Sequence, residues 1–242
     1  MADAADGSDL ERARKSFERV TVFAPDNSYI KEDLAMVDGL LSGQQLPPTT
    51  FVIFETGCAP VRDQVRIDIP IIVTKVSYIG AAFPTLKPQG SYVPFLTVSA
   101  NGTRATTALV SDMDSVIGLD FKNEMPIVIT KTIAATVVKG VAAYAANQAA
   151  NQQSDWAGLL AQIGTAIYQA VVNISDERTW TTLPKQFLVC HVPTPPDRKI
   201  ELETPGGGLK IQVTIAPGTV NLVYVKSIDA ISPLLVSQMK LK

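Results

Sequence analysis

The feature that most constrains the fold is a switch in hydrophobic period near residue 49. Before it, apolar residues recur at helical spacing: Leu10, Ala13, Phe17 and Val20 form one stripe, Ile30, Leu34, Val37 and Leu41 a second. Pro25-Asp26-Asn27 separates the two stripes, and Gly43 to Pro48 is a strong stop. From Thr49 the period is two, and β-branched and aromatic residues dominate. A helical pair over about 9–23 and 29–41 therefore leads into a β-rich body, which makes the chain α+β rather than α/β.

Within the body, Thr49 to Glu55, Val65 to Ile69 and Ile71 to Ala82 read as strands. Phe95 to Ser99 and Arg104 to Val110 suggest a hairpin around Asn101-Gly102, a favoured turn dipeptide. Helical spacing returns over Ser111 to Asn123, with Ser111 or Asp112 as the cap. A longer helix follows from Pro126 to about Gln148, with the stripe Ile133, Val137, Val141 and Tyr144. After a polar connector, Ser154 can cap another helix with Trp156, Leu160, Ile163, Ile167 and Val171 on one side. Five short strands close the chain: Gln186–Val192, Ile200–Thr204, Leu209–Ile215, Val220–Lys226 and Leu234–Leu241. The expected division is a helical segment over 1–46 and an α+β body over 47–242. Inside that body, which is mostly antiparallel, an inserted helical hairpin spans about 111–175 and a sandwich-like sheet about 185–242.

Composition excludes several classes. Hydrophobic residues make up 46% and charged residues 18%, so the body should be ordered. The 242 residues can bury about three quarters of their unfolded surface. A net charge of -2 offers no footprint for nucleic acid. The charge is uneven: residues 1–46 carry 5 Lys+Arg and 9 Asp+Glu, a net of -4, and the rest carry 16 and 14, a net of +2. Met1 to Asp9 is acidic and lacks an apolar segment of the secretory type.

Candidate chemistry is sparse. Cys58, just past a strand end, could act as a nucleophile with His191, the single histidine, as its base. Against this hydrolase or transferase reading stands a simpler one, a cysteine packed in a strand-to-loop turn set by Gly57 and Pro60. Cys58 and Cys190 can form one disulfide or remain two thiols. One His and two distant Cys give no zinc spacing, and Asp112-Met113-Asp114 lacks a calcium loop. Gly206-Gly207-Gly208 is a turn rather than a phosphate loop, and no cofactor fingerprint occurs. Pro126 to Ala146 is long enough to cross a bilayer, but Lys131 and Lys139 oppose this, since a central Lys costs roughly 3 kcal/mol. A membrane-active helical hairpin stays as an alternative. Arg178 and Trp180, among acids at the end of the helical insertion, are candidate protein-binding anchors or plugs at a helix–sheet junction. Glu55 and Arg62 are expected to be exposed polar contacts.

Ala13, Phe17 and Pro25 stand at the A-x3-F…P spacing of the second helix of a tetratricopeptide repeat. One such repeat cannot bury its own apolar face, so the chain is expected to be the later part of a longer protein or to carry one vestigial repeat. With Glu55-Thr56-Gly57-Cys58-Ala59-Pro60, Arg66-Ile67-Asp68-Ile69-Pro70 and Arg178-Thr179-Trp180-Thr181-Thr182-Leu183-Pro184, the chain resembles a group of uncharacterised bacterial envelope proteins. Those carry a signal or lipoprotein leader, then tetratricopeptide-like helices, then a body of this kind. The resemblance implies a periplasmic location in a Gram-negative envelope on a lipid anchor. It also implies a non-enzymatic scaffold role with protein partners, linked to envelope or peptidoglycan maintenance. It assigns no catalytic residue, metal or cofactor.

Overall fold

In the computed structural model, residues 7–70, 78–151 and 179–241 are described. The chain folds as α+β, with the helical pair at its start. It divides into two units: Met1–Ala59 with Gln89–Asp114 and Thr182–Lys242, and Pro60–Pro88 with Ser115–Thr181. The helical pair therefore shares a unit with most of the strands instead of standing apart over 1–46.

In the first unit, α1 (Gly7–Phe23) and α2 (Ser28–Leu41) pack as a pair. Leu10, Ala13, Phe17 and Val20 are the half-buried stripe of α1, as their spacing requires. Asn27 caps α2: its Oδ1 accepts from the Ile30 N–H at 3.3 Å, and its Nδ2 donates to the Leu109 carbonyl at 2.8 Å. One side chain thus starts the helix and pins it to the body.

Two sheets follow. The first joins β1 (Thr49–Thr56), β6 (Ala108–Asp112), β7 (Gln186–Pro193), β10 (Val220–Ser227) and β11 (Leu235–Lys240) in the order β11-β10-β1-β7-β6. The second joins β4 (Thr97–Ala100), β5 (Thr103–Thr106), β8 (Lys199–Glu203) and β9 (Lys210–Thr214) in the order β5-β4-β8-β9. Pairing is antiparallel except between β1 and β10. The expected C-terminal sheet over about 185–242 is not self-contained. β7 and β10 flank β1, and β8 pairs with β4, so late strands complete sheets begun by early ones. Sequence spacing locates strands but not their partners, which long-range apolar packing selects.

Alternation makes the core. Val52 and Phe54 of β1, Leu188, Cys190 and Val192 of β7, and Val223 and Val225 of β10 turn to one side of the first sheet. Val98, Ile200, Leu202 and Val213 of the second sheet meet them. Each such side chain contributes roughly 1.5–3 kcal/mol on burial. The Asn101-Gly102 turn joins β4 to β5 with both residues at positive φ, 44° and 81°. Thr107 then ends β5: its N–H donates to the Leu96 carbonyl and its Oγ1 accepts from the Leu96 N–H, both at 2.9 Å. The expected strand over Arg104 to Val110 is therefore two, β5 and β6, in different sheets.

The second unit holds the hairpin of β2 (Val61–Pro70) and β3 (Tyr78–Lys87) and the helix α3 (Met113–Asn151), which begins two residues before the unit boundary. Helical structure runs unbroken through Pro126, where a break was expected. Proline removes one intrahelical donor, and the Thr130 hydroxyl donates back to the Pro126 carbonyl at 2.8 Å. Asp112 caps α3, accepting from the Asp114 N–H at 3.0 Å. The expected second arm, with Trp156, Leu160, Ile163, Ile167 and Val171, lies outside the described residues, as does the part of the expected Ile71 to Ala82 strand over 71–77.

Candidate functional site

The Cys58–His191 pairing does not form. His191 sits on β7 opposite Phe51 of β1, whereas Cys58 lies beyond the far end of β1. Phe51 to Thr56 alone spans roughly 16 Å of extended chain, far outside hydrogen-bond reach. The Cys58 Sγ makes a weak 3.9 Å contact to the Ile228 carbonyl. Its shallow surroundings include Ser91 and Asp229. Asp229 is committed to its own turn, accepting from the N–H groups of Ile231 and Ser232 and from the Ser232 hydroxyl. Those bonds, the hydroxyl first, hold its carboxyl below the usual range. Both cysteines are free thiols. Cys190 is buried in the core, which pushes its pKa up to about 12.

His191 is instead bound to α2. Its Nε2 lies 3.1 Å from the Glu32 carboxylate and its Nδ1 3.3 Å from Asp33 Oδ1. Tyr29 meets the ring edge-on at 5.3 Å, and Phe51 flanks it at 5.8 Å. Asp33, then burial acting against it, then the two acids' charges set the balance, which raises the His191 pKa. Asp33 Oδ1 and His191 Nδ1 are without an aligned hydrogen bond, so their approach is an ion pair. Sequence spacing gave no hint of this cluster, since Glu32 and Asp33 meet His191 only through tertiary packing. Among the described residues, no group of three His, Cys, Asp or Glu side chains is placed to hold a metal ion.

Of the four candidate contact residues, Glu55 is 7% exposed and structural rather than an exposed contact. Its carboxylate pairs with Lys226 Nζ at 2.5 Å and accepts from the Tyr224 hydroxyl. Both partners come from β10, because the parallel register sets Lys226 beside Glu55. Arg62 bonds Glu124 at 2.9 Å, tying β2 to α3. Trp180 is 69% exposed. Arg178 lies outside the described residues.

Two runs named from the sequence do meet. The Ala59 N–H donates to the Leu183 carbonyl at 2.8 Å, and the Lys185 N–H to the Thr56 carbonyl at 3.1 Å. Lys185 pairs with Asp114, and its ammonium lies 5.1 Å from the Tyr92 ring centre. The sequence did not single out Lys185. These contacts bind the segments by which the chain leaves and re-enters the first unit, a structural role.

The largest departure is on α3. The stripe Ile133, Val137, Val141 and Tyr144 is 52, 57, 64 and 42% exposed. The covered side is rotated by one residue: Thr132 and Thr136 are half-buried, Gly140 and Ala143 buried. Large apolar groups face outward and small or polar ones inward, the reverse of a soluble amphipathic helix. Over Met113–Ala145 the helix is long and apolar enough to cross a bilayer, with mean hydropathy 1.4. On the hairpin, Val65 and Ile67 are also exposed, and cross-strand register sets them on one face with Phe83 and Ala81. Comparison with family models, curated proteins and solved structures returned no match.

Proposed function

We propose that this is a non-enzymatic bacterial envelope protein that rests on a lipid surface through its second unit and uses its first as a binding scaffold. The observation that carries the reading is the outward apolar stripe of α3. In water such a stripe costs about 25 cal/mol per Å² of uncovered apolar area, and lipid removes that cost. Lys122, Lys131 and Lys139 disfavour a buried spanning pose, so α3 lies in the interface and the exposed stems of Lys122 and Lys131 snorkel toward phosphates. The resemblance to envelope proteins supports the periplasmic location, and a lipid anchor would strengthen a weak interfacial contact. The separation of Cys58 from His191 argues against the hydrolase or transferase alternative.

Flotation with phosphatidylethanolamine–phosphatidylglycerol liposomes tests this. The full chain is expected to float, and the double variant Val137→Ser with Val141→Ser to remain at the bottom while keeping its circular dichroism. Equal recovery of both proteins in the bottom fraction would remove the lipid role. Crosslinking in cells followed by mass spectrometry tests the scaffold role, with defined envelope proteins as the expected capture. A capture indistinguishable from background would leave the first unit without a protein partner.

A further inference from the structure

The two sheets of the first unit end in four edge strands, and three of them are guarded. An open edge is a row of unpaired peptide groups, and folds blunt it by shortening, charge, bulges or cover. β5 has four residues and carries the exposed Arg104. β6 is bulged between Leu109 and Ser111, and Asn27 takes its Leu109 carbonyl. The Gln238 side chain donates to the Thr214 carbonyl at the end of β9 at 3.0 Å. β11 is unguarded. It pairs with β10 in unbroken register, contains no proline, and has its one charge, Lys240, at its last position.

The direction of its peptide groups is fixed. The Leu241 N–H donates to the Val220 carbonyl, one step beyond the last β10–β11 pair. Peptide groups alternate along a strand, so those of Leu235, Ser237 and Met239 face β10, and those of Val236, Gln238 and Lys240 face outward. Among the described residues, no backbone group pairs with that outer row. The side chains alternate as well. Val236 packs on the core, whereas Leu235 and Met239 are 55 and 60% exposed on the opposite face, with exposed Ser237 between them.

We infer that β11 is the dimer edge of this protein: a second copy adds its own β11 antiparallel, about a twofold axis at Ser237, and joins the two five-stranded sheets into one. An antiparallel neighbour must set its outward-facing residues opposite those of β11, and this axis does so by pairing Val236 with Gln238 of the second copy. The same register sets Leu235 against Met239 of the second copy on both sides of the axis. These are the close, non-hydrogen-bonded positions, so each exposed apolar side chain covers the other. The two Lys240 side chains fall at opposite ends of the pairing, where no like charges meet. Two apolar residues placed evenly about a small one match their own sequence reversed, which selects a second copy over an unrelated strand.

Sedimentation equilibrium of the full chain and non-reducing electrophoresis test the assignment. The native mass is expected to be twice that of the monomer. Met239→Lys, which sets a charge against Leu235 of the second copy, should halve it with circular dichroism unchanged, and Leu235→Lys is the alternative if that protein misfolds. Ser237→Cys in a Cys58→Ser background should oxidise to a covalent dimer, since paired Cα atoms at such a position lie about 4.5 Å apart. Leu235→Cys in the same background should not, because its own counterpart lies about 14 Å away along the neighbouring strand. The Val137→Ser, Val141→Ser protein should remain dimeric, which separates this edge from the apolar face of α3. A monomeric native chain, a mass that a folded edge variant leaves unchanged, equal crosslinking of the two cysteine variants, or a dimer lost with the α3 serines would each overturn it.

Discussion

Gly57 shows how one residue can be required by its surroundings. Its φ is +65°, and a Cβ there would stand 2.9 Å from the Tyr92 Cβ and 3.0 Å from the Lys185 Cβ. Gly57→Ala combines left-handed strain with a clash and should cost about 2 kcal/mol or more, read as a lower Tm. His191 makes stability depend on pH. Its folded pKa is raised above its unfolded value, so the Glu32 and Asp33 contacts stabilise fully below about pH 6.5 and fade as pH rises through the raised value. Denaturant melts across that window should lose stability upward for the native chain, and His191→Phe should flatten the slope; parallel slopes would deny His191 the role. The thiols should separate in an alkylation assay. Cys58, half-exposed, is expected to react in the native state, and Cys190 only after unfolding. Loss of both thiols from the native protein at one rate would contradict the buried position of Cys190.

At the scale of the element, α3 is the informative case. Its spacing signalled a helix with an apolar stripe, and both are present. Which side of a helix is covered depends on what packs on it, and a rotation of one residue turned Ile133, Val137, Val141 and Tyr144 outward. Serine at Val137 and Val141 should therefore leave the thermal transition of the protein within about 0.5 kcal/mol of wild type, the ordinary range for exposed positions. A destabilisation of several kcal/mol would mean that the stripe is packed in the native protein. The strands show a similar limit. β1, β7 and β10 were each legible from their alternation, but the parallel pairing of β1 with β10 was not. A strand's own pattern states that one face is buried and says nothing about which edge it meets.

For the whole molecule, the two sheets of the first unit share one core, so they should unfold together. Phe54, at its centre, is fully buried, and Phe54→Ala should cost about 3–5 kcal/mol. Far-ultraviolet circular dichroism and the fluorescence of a dye attached at Cys58 should move to lower temperature by the same amount. Separate midpoints would show two independent cores.

The sequence by itself determined the elements: where the period is 3.6, where it is two, where Pro25, Asn27 and Asn101-Gly102 turn the chain, and hence the α+β class. It did so because period, caps and turn residues act within a few positions of themselves. Tertiary structure alone decided the rest. It brought late strands beside early ones, set Lys226 and Tyr224 on Glu55, held Glu32 and Asp33 against His191, and kept Cys58 apart from it. These are meetings between residues many positions apart, selected by the summed burial of a shared core, and no local pattern of residues encodes them.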